Sequence, residues 1–183
     1  MTIEWVNHTD QPVFIENIDK QRYLDPAYLD LEWQSVWRNT WLLAGLESDV
    51  ASPGDYFVFD LGREQILVSC GSGGDVQGFY NVCQHRGNRL VSQERGRAAN
   101  FRCAYHAWTY NIDGALNVVP YEERFAKGVP CEELGLQKVH TALWSGFVFI
   151  NMAPNPEPLA QFLGPVADIL APYRFDKMVV VED

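Results

Sequence analysis

Hydrophobic residues change their spacing along the chain, and the first pattern is helical. Apolar side chains between residues 26 and 39 recur every three or four positions, at Leu29, Trp33, Val36 and Trp37. Asp25 is a typical N-cap residue, and Pro26 suits the first position of a helix because its missing N–H needs no partner there. The pattern therefore predicts a helix over about residues 26–39.

After residue 40 the pattern becomes that of short strands. The runs are rich in β-branched and aromatic residues, and they read WLLAG, DYFVFDLG, QILVSC, VQGFYNV, ANFRC, AWTYNIDGAL and VHTALWSGFVFINM. Turn signals separate the runs at Pro53-Gly54, at the glycine-rich stretch 71–74 and at Asp113-Gly114. Many short strands at close spacing are typical of an antiparallel sandwich or barrel.

The C-terminal segment changes again. The stretch APNPEP is a proline-rich joint, and PLAQFLGPVADILAPY predicts helix that is interrupted at its prolines. The last residues, DKMVVVED, are strand-like and have no turn or cap. An apolar strand seldom closes a domain, so we expect the natural chain to continue.

Composition narrows the class of protein. Hydrophobic residues make up 47% of the 183 residues, which allows a sizeable core. The formal net charge of −10 argues against nucleic acid and favours a redox or small-molecule protein whose partner has a basic face. No signal peptide and no apolar run long enough to span a membrane is visible, so we expect a cytoplasmic protein. Cysteine clusters in such proteins more often bind metal than form disulfides.

Half of the four cysteines and half of the four histidines lie in two short clusters. Cys83 and His85 form the first pair, and 17 residues separate His85 from the second pair, Cys103 and His106. Residues two or three apart at a loop tip can chelate together. Two facing tips would therefore make one site with four ligands, while Cys70 and Cys131 are interpreted as buried thiols and His140 as a strand residue.

Two metal groups accept two cysteines and two histidines. Zinc takes them tetrahedrally, and a Rieske-type [2Fe–2S] cluster takes both histidines on one iron. Zinc fingers group a cysteine pair before a histidine pair, whereas each loop here mixes the two, which favours the cluster. With two neutral imidazoles the oxidised site is neutral, which raises the reduction potential from about −400 mV into a window of about −150 to +300 mV.

The segments CQHRGNRL and FRCAYHAWTYNIDGAL closely resemble the Rieske segment of ring-hydroxylating oxygenase α subunits, with its C-x-H-R-G and C-x-x-H-x-W-x-Y motifs. VWRNTWLLAGLESDVASPGDYFVFDLG and LWSGFVFINMAPNPEPLAQFLGP resemble the family's flanking segments. The resemblance implies a mainly β, antiparallel Rieske sandwich with a two-loop cluster subdomain and short terminal helices. It divides the chain into a helical lead-in (1–45), a Rieske domain (46–152, with loops at about 81–90 and 101–112) and a linker (153–183).

The resemblance also implies roles for individual residues. Cys83 and Cys103 would hold one iron, and His85 and His106 the other. Residues around the cluster are then expected to be Arg86, Gly87, Tyr105, Trp108 and Tyr110. For Arg86 and Gly87 the expected contribution is backbone N–H groups directed at sulfur, with an ordinary turn as the alternative.

Respiratory-chain Rieske proteins carry a cysteine in each loop that forms a disulfide beside the cluster, and the matching positions here are Asn88 and Tyr105. Their serine donor to a bridging sulfur is matched by Trp108, while Tyr110 keeps the tyrosine. Fewer hydrogen bonds to sulfur leave the reduced cluster less stabilised. We therefore expect a potential near the low end of the window, at about −150 mV.

By resemblance, electrons would arrive from a ferredoxin or reductase and leave for a mononuclear non-haem iron in the catalytic domain of the same or a neighbouring α subunit, often within a trimer. His8 and His140 lie in unrelated segments and cannot supply that iron's ligands, so this chain alone is not expected to hydroxylate a substrate. Aromatic acids, aromatic hydrocarbons and quaternary amines all remain open. The alternatives are a stand-alone Rieske ferredoxin and a zinc-stabilised binding module.

Overall fold

The computed structural model describes residues 17–178. His8 and the strand-like residues 179–183 lie outside that range. The predicted N-terminal helix is present from Pro26, and a short helix precedes it. Asp25 caps the main helix as predicted, because its carboxylate accepts the N–H of Ala27 at 2.9 Å. The elements of this segment are α1 (Gln21–Leu24), α2 (Pro26–Glu32) and a π-helical turn (Trp33–Trp37).

The α-helical geometry predicted as far as residue 39 ends at Glu32. The N–H of Arg38 bonds to the carbonyl of Trp33 at 3.2 Å, five residues back, so the last turn is wider than an α-helical one. Trp33 is the buried residue of this turn and packs into the sheet's core, where the guanidinium of Arg63 lies 5.6 Å from its ring centroid. The burial of Trp33 against the sheet therefore coincides with a change from α-helical to π-helical bonding, which the spacing of apolar residues could not predict.

Most strands pair into one antiparallel sheet of seven, in the order β1-β10-β9-β4-β3-β2-β5. Each predicted apolar run supplies a strand, and the glycine-rich stretch 71–74 turns β3 back into β4 as expected. β5 escaped prediction because it reads Arg-Gly-Arg and is fully exposed. The seven strands are β1 (Leu42–Leu46), β2 (Asp55–Asp60), β3 (Gln65–Cys70), β4 (Val76–Tyr80), β5 (Arg95–Arg97), β9 (Lys138–Trp144) and β10 (Phe147–Asn151).

A second sheet has three strands, β6 (Asn100–Arg102), β7 (Thr109–Asn111) and β8 (Leu116–Val118). The predicted turn at Asp113-Gly114 joins β7 to β8. Gly114 has a φ of +85°, and a Cβ there would lie 2.4 Å from the ring of Phe79. Glycine is therefore required for both backbone and packing, and this turn holds the small sheet against the large one.

Two apolar cores result. One lies under the large sheet and includes Trp33, Ile66 and Val148. The other joins the two sheets and includes Phe79, Tyr110 and both loop cysteines. The second core therefore anchors the candidate site directly, because both of its cysteines belong to the packed interior.

The C-terminal segment forms two short helices that meet at a proline, as predicted: α3 (Leu159–Leu163) and α4 (Pro165–Leu170). Phe175–Lys177 form a 3₁₀ turn, so the predicted terminal strand does not begin at Asp176 and Lys177. The mainly β, antiparallel fold with short terminal helices is confirmed. None of the helices in residues 17–178 is long and apolar enough to cross a membrane.

Candidate metal centre

The first Cys/His pair lies on a tight loop that follows β4. The N–H of Cys83 donates to the carbonyl of Asn88 at 2.8 Å, and the N–H of Gly87 donates to the carbonyl of Cys83 at 3.0 Å. Gly87 has a φ of +71°, a conformation that glycine adopts without strain. The N–H of Gly87 is used within the turn, and the positive φ explains why glycine occupies this position.

The second loop joins β6 to β7 and repeats the same bonding. The N–H of Cys103 donates to the carbonyl of Trp108 at 2.8 Å, and the N–H of Ala107 donates to the carbonyl of Cys103 at 3.0 Å. Ala107 has a φ of +58°, which is costly for a residue with a Cβ. Both cysteines therefore sit at the same position of two matching turns, although their histidines are spaced differently.

The two cysteines lie side by side in the second core, 1% and 3% exposed. Burial raises the pKa of the Cys83 thiol, against the opposing effect of its bond to Tyr110. Burial also acts to raise the pKa of Cys103, but the backbone N–H groups of Tyr105 and His106, together with the side chains of Cys83 and Asn88, outweigh it and lower that pKa. The loops thus supply N–H groups that favour a thiolate, the form that binds metal.

Side chains add one donor to each sulfur. The hydroxyl of Tyr110 lies 3.4 Å from Sγ of Cys83 and accepts the N–H of Gln84 at 3.0 Å, so its own proton is available to the sulfur. Burial raises the pKa of Tyr110 well above its ordinary value, which keeps the hydroxyl protonated. Nδ2 of Asn88 lies 3.7 Å from Sγ of Cys103. The sulfurs therefore have more hydrogen-bond donors than sequence comparison suggested.

The two imidazoles are also neighbours, with ring centroids 4.7 Å apart. His85 is stacked on the indole of Trp108 at 4.6 Å, and Tyr105 lies against His106 at 3.9 Å. Burial, the charge of His106 and the charge of Arg86 all lower the pKa of His85. These effects favour the neutral form of His85, the state in which imidazole ligates a metal.

Nδ1 of His85 is buried and has no hydrogen-bond partner. A buried polar atom without a partner is destabilising, so native proteins rarely keep one without a role. The four side chains form two pairs, one of thiols and one of imidazoles. Within residues 17–178, no group of three or more Cys, His, Asp or Glu side chains is placed to hold a single metal ion. Two adjacent thiols, two adjacent imidazoles and an unpartnered ring nitrogen fit the donor set of a Rieske cluster.

The histidine side of the site opens on a groove of about 360 Å³. Its lining is largely aromatic and apolar, and one cation is present. The lining residues are His85, His106, Trp108, Pro120, Tyr121, Arg124 and Phe125. The imidazoles are thus the part of the site nearest to any molecule that docks there.

Sequence reasoning missed Asn88 as a donor and the backbone N–H groups of Tyr105 and His106. An amide side chain in a ligand-bearing loop was the available signal for Asn88. Cys70 is buried, as predicted. The same prediction for Cys131 is wrong, because that thiol is partly exposed. His140 is a satisfied strand residue as predicted, with Nε2 3.2 Å from the carbonyl of Pro154.

Comparison with known proteins identifies relatives of the whole segment. The profile of the Rieske [2Fe-2S] domain matches residues 40–139. The oxygenase subunit of glycine betaine monooxygenase from Chromohalobacter salexigens is 34% identical over 163 residues, 88% of this chain and 36% of that protein. The large oxygenase component of the naphthalene 1,2-dioxygenase system from Pseudomonas putida is 31% identical over 172 residues, 91% of this chain and 38% of that protein.

Solved structures agree with these sequences. A quaternary ammonium Rieske monooxygenase superposes with a TM-score of 0.78 at 29% identity, over 84% of this chain and 42% of the other. Naphthalene 1,2-dioxygenase with phenanthrene bound superposes with a TM-score of 0.77 at 33% identity, over 81% of this chain and 34% of the other. The chain therefore spans about a third of the length of the relatives it matches, corresponding to their N-terminal part.

Proposed function

Because the chain belongs to the Rieske [2Fe-2S] domain family, we propose that Cys83, Cys103, His85 and His106 hold its [2Fe–2S] cluster. The observation that carries this assignment is the pairing of the side chains. Two thiols lie together in the core, and two imidazoles lie together at a groove, one with an unpartnered buried nitrogen. Each pair is then available to one iron.

When bound, such a cluster supplies a one-electron redox couple. The protein's own contribution is to keep His85 neutral, to direct N–H and O–H donors at both sulfurs and to keep the cysteines away from solvent. The division into a lead-in (1–45), a Rieske domain (46–152) and a linker (153–183) is part of the same proposal. The matched range 40–139 supports the central part of that division.

The test is metal and spectroscopic analysis of protein purified without oxygen. We expect two irons and two sulfides per chain, a red-brown colour and an EPR signal of the Rieske type on reduction. Zinc in a colourless protein would instead establish the zinc-stabilised module. Iron with a spectrum typical of four cysteines would reject the two histidines as ligands.

In the complete protein we infer that this segment accepts electrons for an oxygenase α subunit, whose mononuclear iron belongs to the catalytic portion. The relatives support this inference, since the monooxygenase and the dioxygenase match the segment at similar identity, 34% and 31%. The similar identities therefore do not favour a quaternary amine over an aromatic compound as the substrate of the complete protein. A stand-alone ferredoxin is the competing possibility, and sequencing the gene beyond Asp183 would distinguish the two.

The electron donor, a ferredoxin or reductase, is expected to present an acidic face. Residues 81–118 carry five arginines against two acidic residues, a net charge of +3, which leaves −13 on the remainder of the chain. Arg86, Arg102 and Arg124 are exposed and take no part in the salt bridges found among residues 17–178. The positive charge near the proposed ligands thus favours a partner with an acidic face, whereas the negative total charge suggested a partner with a basic face.

This part of the proposal predicts a salt-dependent rate of reduction. Reversing Arg86 and Arg124 together (Arg86→Glu, Arg124→Glu) should slow reduction by an acidic ferredoxin at least about tenfold at low ionic strength, and salt should diminish the difference. Lys20→Glu combined with Lys177→Glu, at exposed positions in the two terminal segments, reverses the same number of charges and should leave the rate unchanged. Equal rates in all variants, measured by stopped-flow absorbance, would contradict an acidic partner at this surface.

A further inference from the structure

The side chain of Asn88 connects the two ligand loops through the sulfur of Cys103, as that of Tyr110 does through the sulfur of Cys83. We propose that its amide is a positioning and tuning group, which links the loops and raises the reduction potential through Cys103. This inference rests on the proposed function, because it assumes that Cys103 ligates the cluster.

Three contacts support the link. The backbone carbonyl of Asn88 accepts the N–H of Cys83 at 2.8 Å, within the first loop. Its side-chain Nδ2 lies 2.7 Å from the carbonyl of Arg89 and 3.7 Å from Sγ of Cys103, in the second loop. One residue therefore contacts both cysteines, one through the main chain and the other through the side chain.

The contacts of Nδ2 also determine how the amide is oriented. A primary amide has two N–H bonds, and the shorter contact assigns one of them to the carbonyl of Arg89. With that bond made, the second N–H is the one available to the sulfur of Cys103. Asn88 is partly buried, so water competes less for this donor than it would on the surface.

A donor at a ligating sulfur has a predictable effect on redox equilibrium. Reduction adds one electron, supplied by the donor protein, and increases the negative charge carried by the ligand sulfurs. An N–H bond to a more negative acceptor is stronger, so the amide stabilises the reduced form more than the oxidised form. Asn88 therefore raises the potential, as Tyr110 does at the other cysteine.

The two donors are complementary. Tyr110 serves Cys83 from the packed core, whereas Asn88 serves Cys103 from the loop. Each cysteine thus has one side-chain donor in addition to backbone N–H groups. With a side-chain donor at each cysteine, we predict a reduction potential above about −150 mV, the value that the comparison with respiratory-chain Rieske proteins suggested.

The experiment compares Asn88→Leu, which keeps the size but removes both N–H groups, with the unchanged protein. At a fixed applied potential near the midpoint, the ratio of reduced to oxidised cluster should fall about tenfold, which for a one-electron couple is a shift of about 59 mV. The measurement is a redox titration followed by EPR and circular dichroism, which does not depend on hydroxylation activity.

Gln84→Leu is the matched control. Gln84 is also an amide of the first loop, but its side chain donates only to the carbonyl of Val82, at 3.1 Å. Its replacement should leave the midpoint unchanged. An Asn88→Leu protein that keeps its Rieske spectrum and its midpoint would overturn the inference, and so would equal shifts in both variants.

A second measurement needs no variant, so it decides the matter even if Asn88→Leu fails to assemble. In wild-type protein labelled with ¹⁵N in asparagine side chains, pulsed EPR of the reduced state should detect a weakly coupled amide nitrogen. Absence of that coupling would contradict the bond to Cys103. A wild-type protein with no Rieske signal would instead show that the proposed function itself is wrong.

Discussion

The cysteine side and the histidine side of the site differ in almost every physical property. Cys83 and Cys103 are nearly inaccessible and belong to a core that joins the two sheets. His85 and His106 are partly exposed and line a groove with an arginine at its edge. The same two loops thus hold one pair of proposed ligands in the protein interior and present the other pair to the exterior.

That difference matches the two requirements of an electron-transfer centre. The cysteines need a rigid, dry surrounding in which N–H and O–H donors can stabilise negative charge on sulfur. The histidines need to be neutral and close to an incoming or outgoing partner. The cysteine side and the histidine side can therefore be tested separately, by variants whose expected effects range from loss of the Rieske spectrum to a small change in the free energy of unfolding.

The largest effect is expected when a histidine ligand is removed. His106→Ala should abolish the Rieske absorption and EPR signal, because one iron would lose one of its two proposed imidazole ligands. His140→Ala, which removes an exposed strand histidine, should keep both signals. An unchanged spectrum in the first variant would remove His106 from the ligand set.

The next effect tests the cysteine side through its core. Phe79 is completely buried beside Gly114 and belongs to the same cluster as both cysteines. Phe79→Ala should lower the free energy of unfolding by about 3–5 kcal/mol, through lost burial and the cavity left behind. Leu143→Ala, at an exposed strand position, should change it by less than about 0.5 kcal/mol. Denaturant titrations of the unchanged protein and the two variants, each in apo and cluster-loaded form, provide the measurement.

A smaller effect is expected from removing one oxygen atom at the cysteine side. Tyr110→Phe removes the donor to Cys83 and the acceptor for the N–H of Gln84. The free energy of unfolding should fall by about 1–2 kcal/mol, because a partly buried N–H loses its partner, and the reduction potential should also fall. Thermal unfolding and a redox titration would show these changes, and a raised potential would contradict the assigned direction of the bond.

The smallest effect is expected at the histidine side. Tyr105 is 61% exposed and lies against His106 without belonging to either core. Tyr105→Ala should change the free energy of unfolding by less than about 0.5 kcal/mol while leaving the Rieske spectrum in place. Tyr23→Ala, at a distant exposed aromatic, is the comparison. A loss of stability of several kcal/mol in Tyr105→Ala alone would show that the histidine side is as structural as the cysteine side.

Local pattern was sufficient for most of the fold. Strands such as β3 and β10 are continuous apolar runs bounded by turn residues, so their position follows from composition alone. β5 could not be predicted because its three residues are polar and exposed, and it exists as a strand because β2 offers an unpaired edge. The π-helical turn at Trp33–Trp37 was equally hidden, since helical periodicity does not distinguish five-residue from four-residue bonding.

The amino-acid sequence by itself determined the types and order of the proposed ligands, the turn residues around them and the antiparallel class of the fold, because these depend on side-chain chemistry at short spacing. Only the tertiary structure decided which donors reach sulfur, which ligand pair is buried and which opens on the groove. The reason is that Asn88, Tyr110 and the two cysteines are brought together by the packing of two sheets, a long-range contact that no local pattern encodes.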